Sequence, residues 1–175
     1  MLKTALLAVV AFIALLAAFA STRPSSYRVT RTAVIAAPPE KVFVLLNDYR
    51  NWADWSPWAK IDPAMKVTYD GPATGVGSAY SWIGNNDVGE GHMTTLESRP
   101  AQHLKIKLDF IKPFASSSVT DVTLTPEGAG TKVSWDMTGT ADFITKVFTM
   151  FSSMDAMVGP DFEKGLSQLK SLAEK

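Results

Sequence analysis

Leu104-Lys105-Ile106-Lys107-Leu108-Asp109-Phe110 alternates strictly between apolar and charged side chains. A period of two is that of a half-buried strand, so Leu104, Ile106, Leu108 and Phe110 face a core while Lys105, Lys107 and Asp109 face water. One strand cannot bury a face alone, and its sequence neighbours supply the partners. Upstream, 67–69, 78–82 and 88–97 read as strands, separated by the turns Asp70–Gly77 and Asn85-Asn86-Asp87 and closed by Arg99-Pro100. Downstream, 116–125 is a strand with Val122 and Leu124 inward. Pro126-Glu127-Gly128-Ala129-Gly130 then turns the chain into 131–139, where Val133, Trp135 and Met137 share a face. Connections of hairpin length imply an antiparallel sheet.

The flanks are helical. Tyr27–Ile35 is a Thr/Val-rich strand ended by Ala36-Ala37-Pro38-Pro39, and Pro39 is placed to open a helix whose Glu40 suits the first-turn dipole. Val42, Phe43, Leu45 and Leu46 stripe that helix, and Asn51–Trp55 forms one more short turn before Ser56-Pro57. At the other flank Ile144, Val147, Phe148, Phe151, Met154, Val158, Phe162, Leu166, Leu169 and Leu172 recur at threes and fours. That stripe predicts a long helix laid on the sheet, interrupted at Gly159-Pro160, where proline removes a helical hydrogen bond. The predicted order is strand, two short helices, six strands and a long helix: an α+β fold.

The 175 residues balance seventeen Lys+Arg against seventeen Asp+Glu and contain no Cys. Zero net charge argues against a nucleic-acid partner, and the missing Cys removes disulfides and thiolate chemistry. Residues 1–20 stand apart, because Ala5–Ala20 carries no polar side chain and leaves no face for water. They predict a signal peptide cut near Ala20, after Ala18-Phe19-Ala20, or a retained membrane anchor near the lower length limit of a transmembrane helix. Arg23, Arg28 and Arg31 against Lys3 leave the side of the membrane open. Residues 21–26 form a linker and 27–175 one domain.

Ile35-Ala36-Ala37-Pro38-Pro39-Glu40-Lys41-Val42-Phe43 resembles the opening of the SRPBCC superfamily, the START, Bet v 1-like and polyketide cyclase-like proteins. Trp52-Ala53-Asp54-Trp55-Ser56-Pro57-Trp58, Asp62-Pro63-Ala64-Met65 and Gly71-Pro72-Ala73-Thr74-Gly75-Val76-Gly77 are similar to its bacterial polyketide cyclase/dehydrase-like branch. The resemblance runs from Tyr27 to about Leu172. It implies a helix-grip fold, in which a curved seven-stranded antiparallel sheet holds the C-terminal helix over an apolar cavity.

The leading expectation is therefore a membrane-tethered or exported domain that binds a small hydrophobic or amphipathic ligand, without a cofactor. Trp82, Met93, Leu108, Phe110, Trp135, Phe151 and Met154 are the expected lining. Trp52, Trp55 and Trp58 either rim a ligand mouth or plug the end of the sheet. Glu90 and His92, two apart on a strand, share a face and make a workable acid/base pair for a cyclase or dehydrase only if that face looks inward. Asp109 and His103 read as solvated. Two His separated by ten residues and no Cys leave no metal-ligand set. The remaining alternative is a non-enzymatic interaction module at the membrane using the Trp52–Trp58 surface.

Overall fold

The computed structural model describes residues 2–150 and 152–175. After helix α1 (Leu2–Ser21) the chain builds strand β1 (Ser26–Ile35), then α2 (Pro39–Asn47) and α3 (Trp52–Trp55) with single 3-10 turns at Tyr49–Asn51 and Trp58–Lys60. Six strands follow: β2 (Lys66–Asp70), β3 (Ala79–Ile83), β4 (Glu90–Arg99), β5 (His103–Lys112), β6 (Ser116–Glu127) and β7 (Gly130–Thr140). Helices α4 (Phe143–Phe148) and α5 (Met154–Ala173) end the chain. The seven strands form one antiparallel curved sheet in the order β1-β7-β6-β5-β4-β3-β2.

The alternation in β5 sets the two faces. Leu104 and Ile106 are buried on the inner face with Val122, Val133 and Trp135 from β6 and β7, while Lys107 on the outer face is exposed. Helix α5 lies across that inner face nearest β1, burying Phe162, Leu166 and Leu169. Lys170 Nζ donates to the Val34 carbonyl (2.8 Å), and the Ala36 N–H donates to Glu174 Oε1 (2.7 Å), tying the C-terminal end of α5 to the end of β1.

The C-terminal segment departs from the sequence expectation in where it breaks. Pro160 sits inside α5, and the separation falls before Met154 instead. Ser153 explains the start of α5, since its hydroxyl accepts from the Ala156 N–H (3.1 Å) as an N-cap. Pro160 is exposed, so the helical bond it cannot make is lost at the solvated surface, where water reaches the freed carbonyl. The stripe is not buried along its whole length either: Ile144 is exposed, and α4 packs beside α1.

Helix α1 shows apolar side chains all round. Val10 and Phe19 lie about 180° apart at 3.6 residues per turn, and both are exposed. Among the described residues no helix is long and apolar enough to cross a membrane. The polar-free run Ala5–Ala20 rises about 24 Å as a helix, against roughly 30 Å of hydrocarbon.

Strand registers define two ends of the sheet. Ser26 pairs with Thr140, Phe110 with Ser116, Glu90 with Lys112, and Ile83 with Glu90, so the β3–β4 and β5–β6 hairpin tips lie at the end where β1 begins. Met154, the first residue of α5, lies at this end as well, since the helix finishes beside Val34 and Ala36 at the other. The β2–β3, β4–β5 and β6–β7 turns occupy the far end.

Candidate ligand-binding cavity

A cavity of about 340 Å³ opens between the inner face of the sheet, α5 and the α2–β2 segment. One wall is aromatic, and alternation builds it. Tyr80 and Trp82 point inward from β3, and Tyr69 and Phe110 continue the row from β2 and β5 with ring centroids 5.5–5.8 Å apart between neighbours. Trp82 is fixed by its Nε1–H, which donates to the Val88 carbonyl (3.0 Å). Its ring crosses β4 at Gly91, where any Cβ would collide with the indole. Glycine there lets the largest side chain lie flat against the next strand.

The inner end of the cavity is a tryptophan cluster. Trp135 on β7 stacks on Phe162 of α5 with centroids 4.4 Å apart, and meets Trp52, Trp55 and Trp58 edge-on. Trp52 and Trp55 donate to the Leu46 and Leu45 carbonyls and are buried, while Trp52 and Trp58 also face the cavity. The three tryptophans thus close the base of the grip and form part of its wall. Trp52 and Trp55 are buried and Trp58 is half-buried, so the three rings leave little of the exposed apolar surface that an interaction module would use.

The polar groups bordering the cavity are the Tyr27, Tyr69 and Tyr80 phenols, Ser56, the Asp62 and Asp161 carboxylates, and a row of hydroxyls on β6. Ser116, Ser118 and Thr120 are successive inward positions, and Ser118 hydrogen-bonds the Tyr27 hydroxyl. Burial raises the Tyr27 phenol above its ordinary range, and the Ser118 bond offsets part of that rise. Tyr80 is pushed up to about 12, by burial first and then by the neighbouring Tyr69. Both phenols therefore stay neutral donors at physiological pH. The Trp135 Nε1–H is buried and has no hydrogen-bond partner among the described residues.

Six of the seven residues expected to line a cavity do so: Trp82, Met93, Leu108, Phe110, Trp135 and Met154. Phe151 lies outside the described residues. Glu90 and His92 stand elsewhere. Gly91 and Met93 face inward, so Glu90 and His92 lie on the outer face of β4. There Glu90 pairs with Lys112 (2.6 Å), while His92 is hydrogen-bonded through Nδ1 to Ser81 (2.7 Å) and through Nε2 to Thr94 (2.8 Å). The inward orientation required for proton transfer to a guest is absent, which corrects the acid/base assignment.

Asp109 and His103 are also on the outer face, but neither is simply solvated. Burial raises the Asp109 carboxyl, yet hydrogen bonds from Ser117 and Lys107 outweigh that and hold it below its ordinary range. His103 Nε2 is 2.9 Å from Asp121 and is only 18% exposed in its side chain. Sequence reasoning missed Tyr27, Tyr80 and the β6 hydroxyls as cavity groups. The signal for the hydroxyls was present, because Ser116, Ser118 and Thr120 share the parity of the inward Val122 and Leu124.

Residues 26–174 match the family described as polyketide cyclase / dehydrase and lipid transport, and the chain belongs to that family. No curated protein matches the sequence. Among solved structures, protein CV1439 from Chromobacterium violaceum is 21% identical with a TM-score of 0.61, over 87% of this chain and 99% of its own. DynU16, from the dynemicin biosynthetic locus, is 15% identical with a TM-score of 0.60, over 85% of this chain and 47% of its own. The di-domain ARO/CYC protein StfQ of the steffimycin pathway is 10% identical with a TM-score of 0.64, over 85% of this chain and 51% of its own. This chain therefore spans about half the length of the latter two, and the likeness is one of fold.

Proposed function

We propose that this protein binds a small hydrophobic or amphipathic molecule in the cavity under α5 and is held at a membrane by α1. The observation that carries the reading is the cavity itself: about 340 Å³, walled mainly by aromatic rings and Met93, Met137 and Met154, with a row of β6 hydroxyls, the tyrosine phenols and the Asp62 and Asp161 carboxylates among its polar groups. Such a site binds by burying apolar area and orients its guest by a few polar groups. Methionine side chains adapt to guests of different outline. The β6 hydroxyls and the neutral Tyr80 phenol favour a guest with an acceptor oxygen over a plain hydrocarbon, because a polar group covered without a partner costs about 1–3 kcal/mol. The family description names both lipid transport and polyketide chemistry, and either class of molecule has this character.

Native mass spectrometry of the purified protein, with solvent extraction of bound material, tests the reading. The expected result is a co-purifying amphiphile, or a thermal shift with fatty acids, quinones or polyketides. Repeated recovery of empty protein, with no shift from any of them, would falsify it.

A further inference from the structure

We infer that the hairpin end of the sheet seats in the surface of a lipid bilayer and that the cavity exchanges its guest there, an inference that rests on the ligand-binding reading above. Topology places α1 at this end, because only residues 22–25 separate α1 from the start of β1. The cavity reaches the same end at Phe110, Met154 and the exposed Ser116. Around it the exposed large apolar side chains gather: Ile83 beside the β3–β4 tip, Ile111 and Phe114 on the β5–β6 hairpin, and Phe143 and Ile144 on α4. Elsewhere in the domain such residues stand on separate elements, as Val44 on α2 and Leu96 on β4 do.

Lipid is the occupant that fits both features together. The exposed apolar side chains of α1 lie on opposite sides of the helix, and a protein groove would cover only one of them, whereas acyl chains surround a helix completely. α1 also packs beside α4, which brings the exposed Phe143 and Ile144 next to it. Charges at this end are mixed: Arg23, Arg28, Lys66, Lys112 and Lys146 stand with Asp87, Glu90, Asp142 and Asp155. Seating therefore depends on apolar insertion and only weakly on anionic lipid or salt.

The absence of native Cys gives a direct test with the full chain. Single Ile111→Cys, Phe143→Cys and Val76→Cys variants are labelled with an environment-sensitive fluorophore and bound to phosphatidylcholine vesicles carrying a doxyl quencher in the acyl chain. Val76 is exposed in the β2–β3 turn at the far end and serves as the internal control. The labels at 111 and 143 are expected to be quenched and the label at 76 to stay bright, equally at low and high salt. Bright labels at 111 and 143 on vesicle-bound protein overturn the inference, as does cross-linking of these positions between two copies in place of quenching.

A second measurement follows a fluorescent fatty acid from vesicle to protein. The Ile111→Asp/Phe143→Asp variant is expected to load at least about tenfold more slowly, since a charge resists insertion. Its affinity for the same fatty acid offered from solution should be unchanged. Equal loading rates overturn the inference. If no variant binds the fatty acid in either format, the ligand reading has failed, and the quenching result still decides the seating.

Discussion

The guanidinium of Arg31 occupies the space that a Cβ on Gly159 would fill. From there Nη1 reaches Asp155 (2.7 Å) and Nε reaches Glu163 (2.6 Å), so one residue of β1 holds α5 at points on either side of Gly159. These hydrogen bonds, to Asp155 first and Glu163 second, raise the guanidinium pKa further, and the Arg31 bond holds the Asp155 carboxyl below its ordinary range. Both carboxylates are more than half exposed, so each bond is a weak, salt-screened contribution. Its effect is to fix where α5 lies.

Gly159→Ala separates these effects. Alanine is favoured over glycine in a helix by about 1 kcal/mol, but here its methyl displaces Arg31 from both carboxylates. The single variant is expected to fall within about 0.5 kcal/mol of the parent in urea unfolding, the gain and loss nearly cancelling. In an Arg31→Ala background the same change should stabilise by about 1 kcal/mol. A double-mutant cycle with no coupling between the two sites refutes the arrangement.

Alkaline titration tests the buried phenols. Burial pushes Tyr49 up to about 12, partly offset by its 2.9 Å hydrogen bond with Thr95, and Tyr80 is pushed to the same value. Each folded value lies above the unfolded one near 10. The stability these phenols contribute is therefore complete below pH 10 and is lost as pH rises from 10 through about 12. Absorbance at 295 nm should show Tyr49 and Tyr80 ionising late, together with unfolding, and Tyr27 also above the ordinary phenol range. Tyr49→Phe should cost about 1 kcal/mol at neutral pH, by removing the Thr95 bond, and should flatten the alkaline slope. Ionisation of all four tyrosines near pH 10 in folded protein contradicts this.

Much of the sheet was legible because its alternation is local. Leu104 to Phe110 and Val133 to Met137 declare their inner face within a few residues, and the turns between strands carry Gly, Pro, Asn or Asp. The break in the C-terminal stripe was misplaced because Pro160 is conspicuous and Ser153 is not, although only the serine sits where a cap is needed. The inward Ser116, Ser118 and Thr120 were passed over because polarity outweighed parity. The volume of the cavity depends on how far the sheet bends and where Arg31 pins α5. Those are relations between residues more than a hundred positions apart, which no periodicity records.

Gly91 provides a test of the aromatic wall. Gly91→Ala places a methyl against the Trp82 ring and the Asp109 carbonyl oxygen. The ring is anchored at Val88 and the carbonyl belongs to β5, so neither yields without cost. A destabilisation of about 1–3 kcal/mol is expected, as for an overpacked core. Trp82 fluorescence, obtained as the difference from a matching Trp82→Phe variant, should shift to the red. An unchanged midpoint in urea would mean that the Trp82 ring does not lie tightly against Gly91.

The outer-face placement of Glu90 and His92 predicts what their loss leaves intact. Glu90→Gln/His92→Ala should keep the affinity of any cavity ligand within about twofold, since Met93 and Gly91 occupy the inner positions of the same strand. Stability should fall by about 1 kcal/mol for the hydrogen bonds of His92 to Ser81 and Thr94. Leu108→Trp is the matching change on the inner face. Leu108 borders the cavity and is only partly buried, so an indole there can enter open space without displacing the core. It should leave the urea midpoint near that of the parent and weaken the same ligand by at least about tenfold, or 1.4 kcal/mol. Isothermal titration on both variants reads the contrast. If the outer-face pair abolishes binding while Leu108→Trp spares it, the ligand sits on the other side of the sheet.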